Sequence, residues 1–150
     1  MLGAIQQLLF VLLEEAEPSL EQLSHALARL DLSYFETAEG DVAETENEPP
    51  RSDYAELYRQ ITNRFPTLGT YWVVWPDGKP DADVVLVDAV DDLADIAGDL
   101  KDVLRILELH GEADARWTFR FTYQSHWGLH LSQVRRYLYA QAQWICGDRH

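Results

Sequence analysis

The chain has 150 residues and one cysteine, so it is long enough to bury a hydrophobic core and cannot form an intrachain disulfide. Its formal net charge of −14 argues against binding to nucleic acid or to an anionic membrane, because both require a basic surface. The composition indicates a soluble, cytoplasmic protein whose acidic surface suits a basic protein partner or a metal cation.

The first two predicted elements are amphipathic helices. Apolar residues recur at helical intervals over residues 2–16. This run is too short for a bilayer span of about 20 residues, and no basic residue precedes Arg29, so we expect a buried helix and no signal peptide. A second helix is expected to end near residue 37 and to begin after Ser19, which forms a capping box with Gln22.

A polar segment separates the second helix from the third. Residues 38–51 contain five acidic residues, two prolines and almost no apolar side chains. Nothing in them offsets the entropy lost on ordering, so we expect an acidic flexible loop. A third helix is expected to begin at Ser52 or Asp53, which are good N-cap residues, and to end before Pro66.

The segment 66–87 is the ambiguous part of the pattern. Two apolar runs, 71–75 and 83–87, flank a turn at 76–80 that contains proline and glycine, which is typical of two strands around a turn. An isolated two-stranded hairpin is only marginally stable. We therefore favour a long aromatic connection packed on the helices, with a small hairpin within it as the alternative.

A fourth helix is expected from Ala89 to His110, with Gly111 as its stop. An apolar stripe runs along one side of it, and a second stripe lies beside the first within an arc of roughly 100°. This second stripe, called the acidic stripe below, consists of Asp88, Asp91, Asp92, Asp95, Asp99 and Asp102.

A fifth helix is expected from Asp114 to Ile145. Three polar residues fall inside its apolar arc and a fourth lies at the edge of that arc: Arg116, Arg120 and His130 inside, and His126 at the edge. The predicted fold is therefore all-α, a single domain over residues 1–150 formed by a bundle of about five helices.

His126 and His130 are the first candidates for chemistry. Their i, i+4 spacing places both imidazoles on one helix face, as in zinc-binding helices. A carboxylate from Asp92, Asp95 or Asp99 would complete a site with two histidines and one carboxylate. The residues between the histidines lack the glutamate of the HExxH protease signature, and a carboxylate or a backbone carbonyl would equally satisfy each imidazole.

Arg116 and Arg120 are the second candidates. An arginine on an apolar arc needs a partner, because an unpaired buried charge is costly. The acidic stripe, with Asp88 and Asp91 included, is the nearest supply of carboxylates. We favour an interhelical ion-pair network, and the alternative is a polar pocket in which the two arginines bind an anion beside a histidine.

The fourth and fifth predicted helices carry a resemblance. The runs 91–101, 117–121 and 125–130, with Tyr71, Trp72 and Pro76 upstream, resemble a bacterial family known as domain of unknown function 5063 over residues 54–140. The resemblance implies a mostly helical bacterial protein and supplies no reaction. It also implies that the family's pattern includes Asp91, Asp92, Asp95, Asp99, His126 and His130.

Two functional hypotheses follow. The favoured one is a non-enzymatic binding or scaffolding module without a cofactor, which takes a basic protein partner or self-associates through an aromatic face. The alternative is a metal-dependent hydrolase, in which a divalent ion held by Asp92, Asp95, Asp99, His126 and His130 activates a water molecule and a spare aspartate acts as general base. An enzyme requires these groups to converge in an open pocket, whereas a structural network pairs them with the arginines.

Overall fold

The computed structural model describes residues 1–40, 51–75 and 78–147, with side chains described as far as residue 142. The helices are α1 (Leu2–Leu13), α2 (Leu20–Glu36), α3 (Tyr54–Arg64), α4 (Ala89–His110), α5 (Glu112–Thr122) and α6 (Gly128–Gly147). Strands β1 (Thr70–Val74) and β2 (Val84–Asp88) lie between α3 and α4. A π-helical turn joins α5 to α6 in one continuous helical path, so the predicted five-helix architecture is confirmed. Most of the predicted acidic loop, residues 41–50, lies outside the described residues.

Short-range side-chain signals fix the beginnings of α2, α3 and α4. The Ser19 hydroxyl accepts from the Gln22 N–H at 3.1 Å, and the Gln22 side chain accepts from the Ser19 N–H at 2.9 Å. The predicted capping box is therefore confirmed. Asp53 caps α3 by accepting from the Glu56 N–H at 3.2 Å, and Asp88 caps α4 in a similar way.

The α4 helix is central to the bundle, because it packs against α3, α5 and α6 and also touches α1. The middle of its predicted apolar stripe is fully buried, with no exposed area at Leu93, Ile96, Ala97 or Leu100. As a result the neighbouring acidic stripe also faces other elements. Asp92 is only 2% exposed, and a carboxylate is rarely buried so deeply unless it has a partner.

The connection between α3 and α4 contains the small hairpin that was the alternative interpretation. Strands β1 and β2 pair antiparallel, with Trp72 opposite Leu86. The inner face is anchored by Tyr71, whose ring stacks on that of Tyr137 with centroids 4.8 Å apart. Tertiary packing of this kind supplies the stability that a two-stranded hairpin lacks by itself.

The predicted fifth helix is not a regular α-helix. Gly111 ends α4 as expected, with a φ of 96° that favours glycine, and α5 begins directly after it at Glu112. The turn Tyr123–Trp127 is π-helical, and the Gly128 N–H donates to the Tyr123 carbonyl five residues earlier. A Cβ at Gly128 would lie 2.4 Å from that carbonyl oxygen, so glycine is required there. The expectation of an uninterrupted α-helix over 114–145 was wrong at this turn.

Among the residues that the structure describes, no helix combines the length and the apolar content needed to cross a membrane.

Candidate metal centre

Two histidines of the C-terminal helical path meet the acidic stripe of α4. His130, in the first turn of α6, has Nδ1 2.7 Å from Asp92 Oδ1 and Nε2 3.5 Å from Asp95 Oδ2. His126, in the π turn, has Nδ1 2.7 Å from Asp99 Oδ2. The structure therefore brings together all five residues that the sequence singled out as candidate metal ligands.

A carboxylate orients each of the two imidazoles. When Nδ1 donates its proton to the carboxylate, Nε2 of the neutral ring carries the lone pair. In metal sites the same arrangement fixes the tautomer and raises the basicity of the ligating nitrogen. The His126 and His130 rings stand edge to face with centroids 4.8 Å apart, so the two imidazoles are direct neighbours.

Asp95, His126 and His130 form the tightest group of metal-ligating side chains. One ligand atom from each lies within 4.8 Å of the others. Metal–ligand bonds of about 2.0–2.2 Å place neighbouring ligand atoms about 3–3.5 Å apart, so a small side-chain rotation closes this group on an ion. In a site of this kind Asp92 and Asp99 would orient the imidazoles, and the five predicted residues would divide into three ligands and two supports.

Burial determines the electrostatics of this centre. Desolvation raises the pKa of Asp95 and of Asp99 above the usual carboxyl value, although the histidines oppose the shift. The hydrogen bond to Asp92 raises the pKa of His130, although desolvation opposes this shift as well. Three carboxylates held in a partly desolvated space favour a cation beside them. The His126 side chain is 46% exposed, so solvent ions reach the position.

Tyrosine hydroxyls surround the acidic stripe, and the sequence analysis did not identify this role. Tyr54, Tyr58 and Tyr71 donate to Asp91, Asp88 and Asp92, respectively. Desolvation, followed by the bonded aspartate, raises the pKa of Tyr54 and of Tyr71, so both remain protonated donors at neutral pH. Tyr54 and Tyr58 also fit an apolar periodicity along α3, which conceals the role of their hydroxyls. Their i, i+4 spacing opposite an acidic helix was the available signal.

Arg120 does not face the acidic stripe. Its guanidinium donates to the carbonyl oxygens of Tyr34 and Thr37, at 3.0 and 2.9 Å, at the C-terminal end of α2. It also lies over the Tyr34 ring, 4.7 Å from the centroid. The last carbonyls of a helix have no partner within the helix and carry partial negative charge, so they attract a cation as a carboxylate does.

Arg116 also has a partner elsewhere, and the predicted interhelical ion-pair network is wrong. Arg116 pairs with Glu112 one turn earlier on its own helix, at 3.3 Å. Asp88 and Asp91, the expected partners, instead accept hydrogen bonds from tyrosines of α3. Among the described contacts neither arginine meets His126 or His130, so these contacts give the anion-pocket alternative no support.

Fold and geometry define a helical bundle with an aspartate–histidine centre between α4 and the C-terminal helical path. A family described as Domain of unknown function (DUF5063) matches residues 11–142. The chain belongs to this family, and the resemblance noted in the sequence is confirmed. The matched range includes every residue of the centre.

One solved structure with a similar fold is protein BF1032 from Bacteroides fragilis. It is 16% identical, with a TM-score of 0.67, and the match covers 92% of this chain and 84% of that chain. At this identity the likeness shows the fold alone. No curated protein matches this chain.

Proposed function

We propose that this protein binds one divalent transition-metal ion through Asp95, His126 and His130. The observation that carries the proposal is the convergence of one carboxylate and two imidazoles, with a separate carboxylate behind each imidazole. Acidic side chains gather on many surfaces without binding an ion. Paired imidazoles whose Nδ1 atoms each meet a carboxylate, with a further carboxylate beside one of them, are a more specific arrangement.

The ligand types favour zinc or a neighbouring transition metal. Two imidazoles suit zinc, iron, cobalt, nickel or copper, whereas calcium and magnesium prefer sites built from oxygen atoms alone. Three protein ligands leave at least one coordination position for water. The ligating carboxylate and the two orienting carboxylates supply the negative charge that compensates the ion.

A metal-binding module without catalysis is the form of this function that we favour. A cleft of about 530 Å³ lies between the hairpin and α6, lined in part by Val85, Leu129 and Gln133 and by none of the five residues of the centre. A hydrolase would need its substrate pocket at the ion. The single cysteine supports a reducing, cytoplasmic setting for this role.

A metal-dependent hydrolase is the second candidate, and the open coordination position favours it. A bound ion would lower the pKa of its water toward neutrality. Asp91 lies on the same helix as Asp95 and accepts a hydrogen bond from Tyr54. It is the spare carboxylate to which we assign the role of general base. Hydrolysis of phosphate or carboxylate esters by the loaded protein, lost in His126→Ala, would support this candidate over the first.

The test of metal binding is elemental analysis after loading. Protein treated with chelator is incubated with zinc, manganese or magnesium and then dialysed. We expect about one equivalent of zinc to remain, and no magnesium. His126→Ala should lose this zinc, and because His126 is exposed the variant should still fold. His25→Ala, at an exposed histidine on α2, is the matched control and should retain it. A wild-type protein without zinc, or full retention by His126→Ala, would contradict the proposal.

A further inference from the structure

The outer face of the hairpin has no cover among the described residues. Four apolar side chains point away from the bundle, and their exposed fractions are 68% for Trp72, 48% for Val74, 56% for Val84 and 50% for Leu86. They form two cross-strand pairs, Trp72 with Leu86 and Val74 with Val84. None of them is charged, although the chain carries a net charge of −14. We call these four side chains the hairpin face.

The hairpin face is large enough to mark an interaction site. Together its side chains expose on the order of 450 Å², within the range of the largest apolar patch on a typical monomer. A two-stranded sheet also has two open edges, which natural proteins ordinarily protect. Water contact with this face is unfavourable at roughly 25 cal/mol for each Å² of apolar surface.

The residue sizes on the hairpin face suit a second copy of the same face. The large pair, Trp72 with Leu86, lies toward the ends of the strands that join the bundle, and the small pair, Val74 with Val84, lies toward the turn. A two-fold axis that lies between the two faces and runs across the strands places the large pair of one copy against the small pair of the other. Two sheets packed in this way lie about 10 Å apart with interdigitating side chains.

We infer that the protein forms a two-fold symmetric dimer in which two hairpin faces pack against each other. The occupant is a second copy and not a basic partner, because an uncharged face offers nothing to a basic protein. Two faces bury about 900 Å², below the roughly 1,200 Å² of stable specific interfaces, so we expect a weak dimer that dissociates in the micromolar range. Each copy carries the same large negative charge, so added salt should strengthen the dimer by screening repulsion.

The test measures molecular mass by sedimentation equilibrium across the micromolar range, with chelator present. The wild type should shift from monomer to dimer as its concentration rises. Leu86→Glu places a charge in the centre of the proposed interface and should raise the dissociation constant at least about tenfold. Leu109→Glu makes the same change at a leucine of α4 that is 63% exposed, and it should leave the dimer unchanged.

Several outcomes would overturn the dimer. They are a monomeric wild type throughout the range, a dimer unaffected by Leu86→Glu, or a dimer that salt weakens. A dimer that forms without chelator and is lost when chelator is added would also overturn the inference. It would indicate a metal-bridged association through the exposed His126. Well below the dissociation constant, thermal melts of both glutamate variants should match the wild type, because each replaced side chain is at least half exposed. This inference does not depend on the proposed metal site, which is tested separately by elemental analysis.

Discussion

Arg120 and His130 lie on the same helical path, and both were expected on its apolar arc, yet the structure gives them opposite surroundings. Arg120 is held by two carbonyls and an aromatic ring at the end of α2. His130 meets a carboxylate at each ring nitrogen, Asp92 at Nδ1 across 2.7 Å and Asp95 at Nε2 across 3.5 Å. A guanidinium bound to backbone carbonyls supports the fold, whereas an imidazole between two carboxylates can give up its Nε2 proton and offer the lone pair to a metal ion.

The largest effect should come from substituting an aspartate that orients a histidine of the metal centre. Asp99→Ala removes the carboxylate that orients His126. We expect zinc affinity to fall by about 10–100-fold, because the imidazole loses both its fixed orientation and part of its basicity. The measurement is competition with a chromophoric chelator. Asp102→Ala removes the same charge from the same helix without contacting either histidine, and its affinity should stay near that of the wild type.

The next effect should appear in stability and not in metal binding. Arg120→Ala leaves two carbonyls at the end of α2 without their donor and removes the cation from the Tyr34 ring. We expect the free energy of unfolding to fall by about 1–3 kcal/mol. Urea denaturation measures this change. Unchanged zinc affinity in the same variant would sharpen the comparison, and a large loss of zinc would show that the two regions are not separate.

The smallest effect should come from Arg116. Its ion pair with Glu112 is partly exposed and lies within one helix. Such pairs contribute about 0.3–0.5 kcal/mol, so Arg116→Ala should be nearly neutral in urea denaturation. A loss as large as that of Arg120→Ala would mean that the guanidinium of Arg116 has a further role. Because the two arginines lie one turn apart on α5, each variant serves as a control for the other.

Much of the fold could be predicted because it depends on short-range signals. The capping box at Ser19, the N-cap at Asp53 and the stop at Gly111 each act within a few residues. The partner of Arg120 could not be predicted in this way. It consists of backbone carbonyls, which exist at every residue and become available only where a helix happens to end.

The candidate centre was predicted only as a set of residues. Spacing placed Asp92, Asp95 and Asp99 on one face of α4 and brought the histidines near one another. Which carboxylates orient and which one ligates depends on how α4 and α6 are rotated against each other, and a single helix pattern does not contain that angle. The tyrosine donors were missed because an aromatic ring satisfies an apolar periodicity whether or not its hydroxyl has a partner.

The π turn Tyr123–Trp127 acts as a phase shift in the C-terminal helical path. A π turn holds one residue more than the α-helical turn it replaces, and one residue corresponds to about 100° of rotation along a helix. Deleting any one residue of this turn would therefore turn all of α6 relative to α5. His130 would leave Asp92, and Leu131 would leave the core, although no ligand or core residue had been altered. At this point the number of residues in the chain matters as much as their identity.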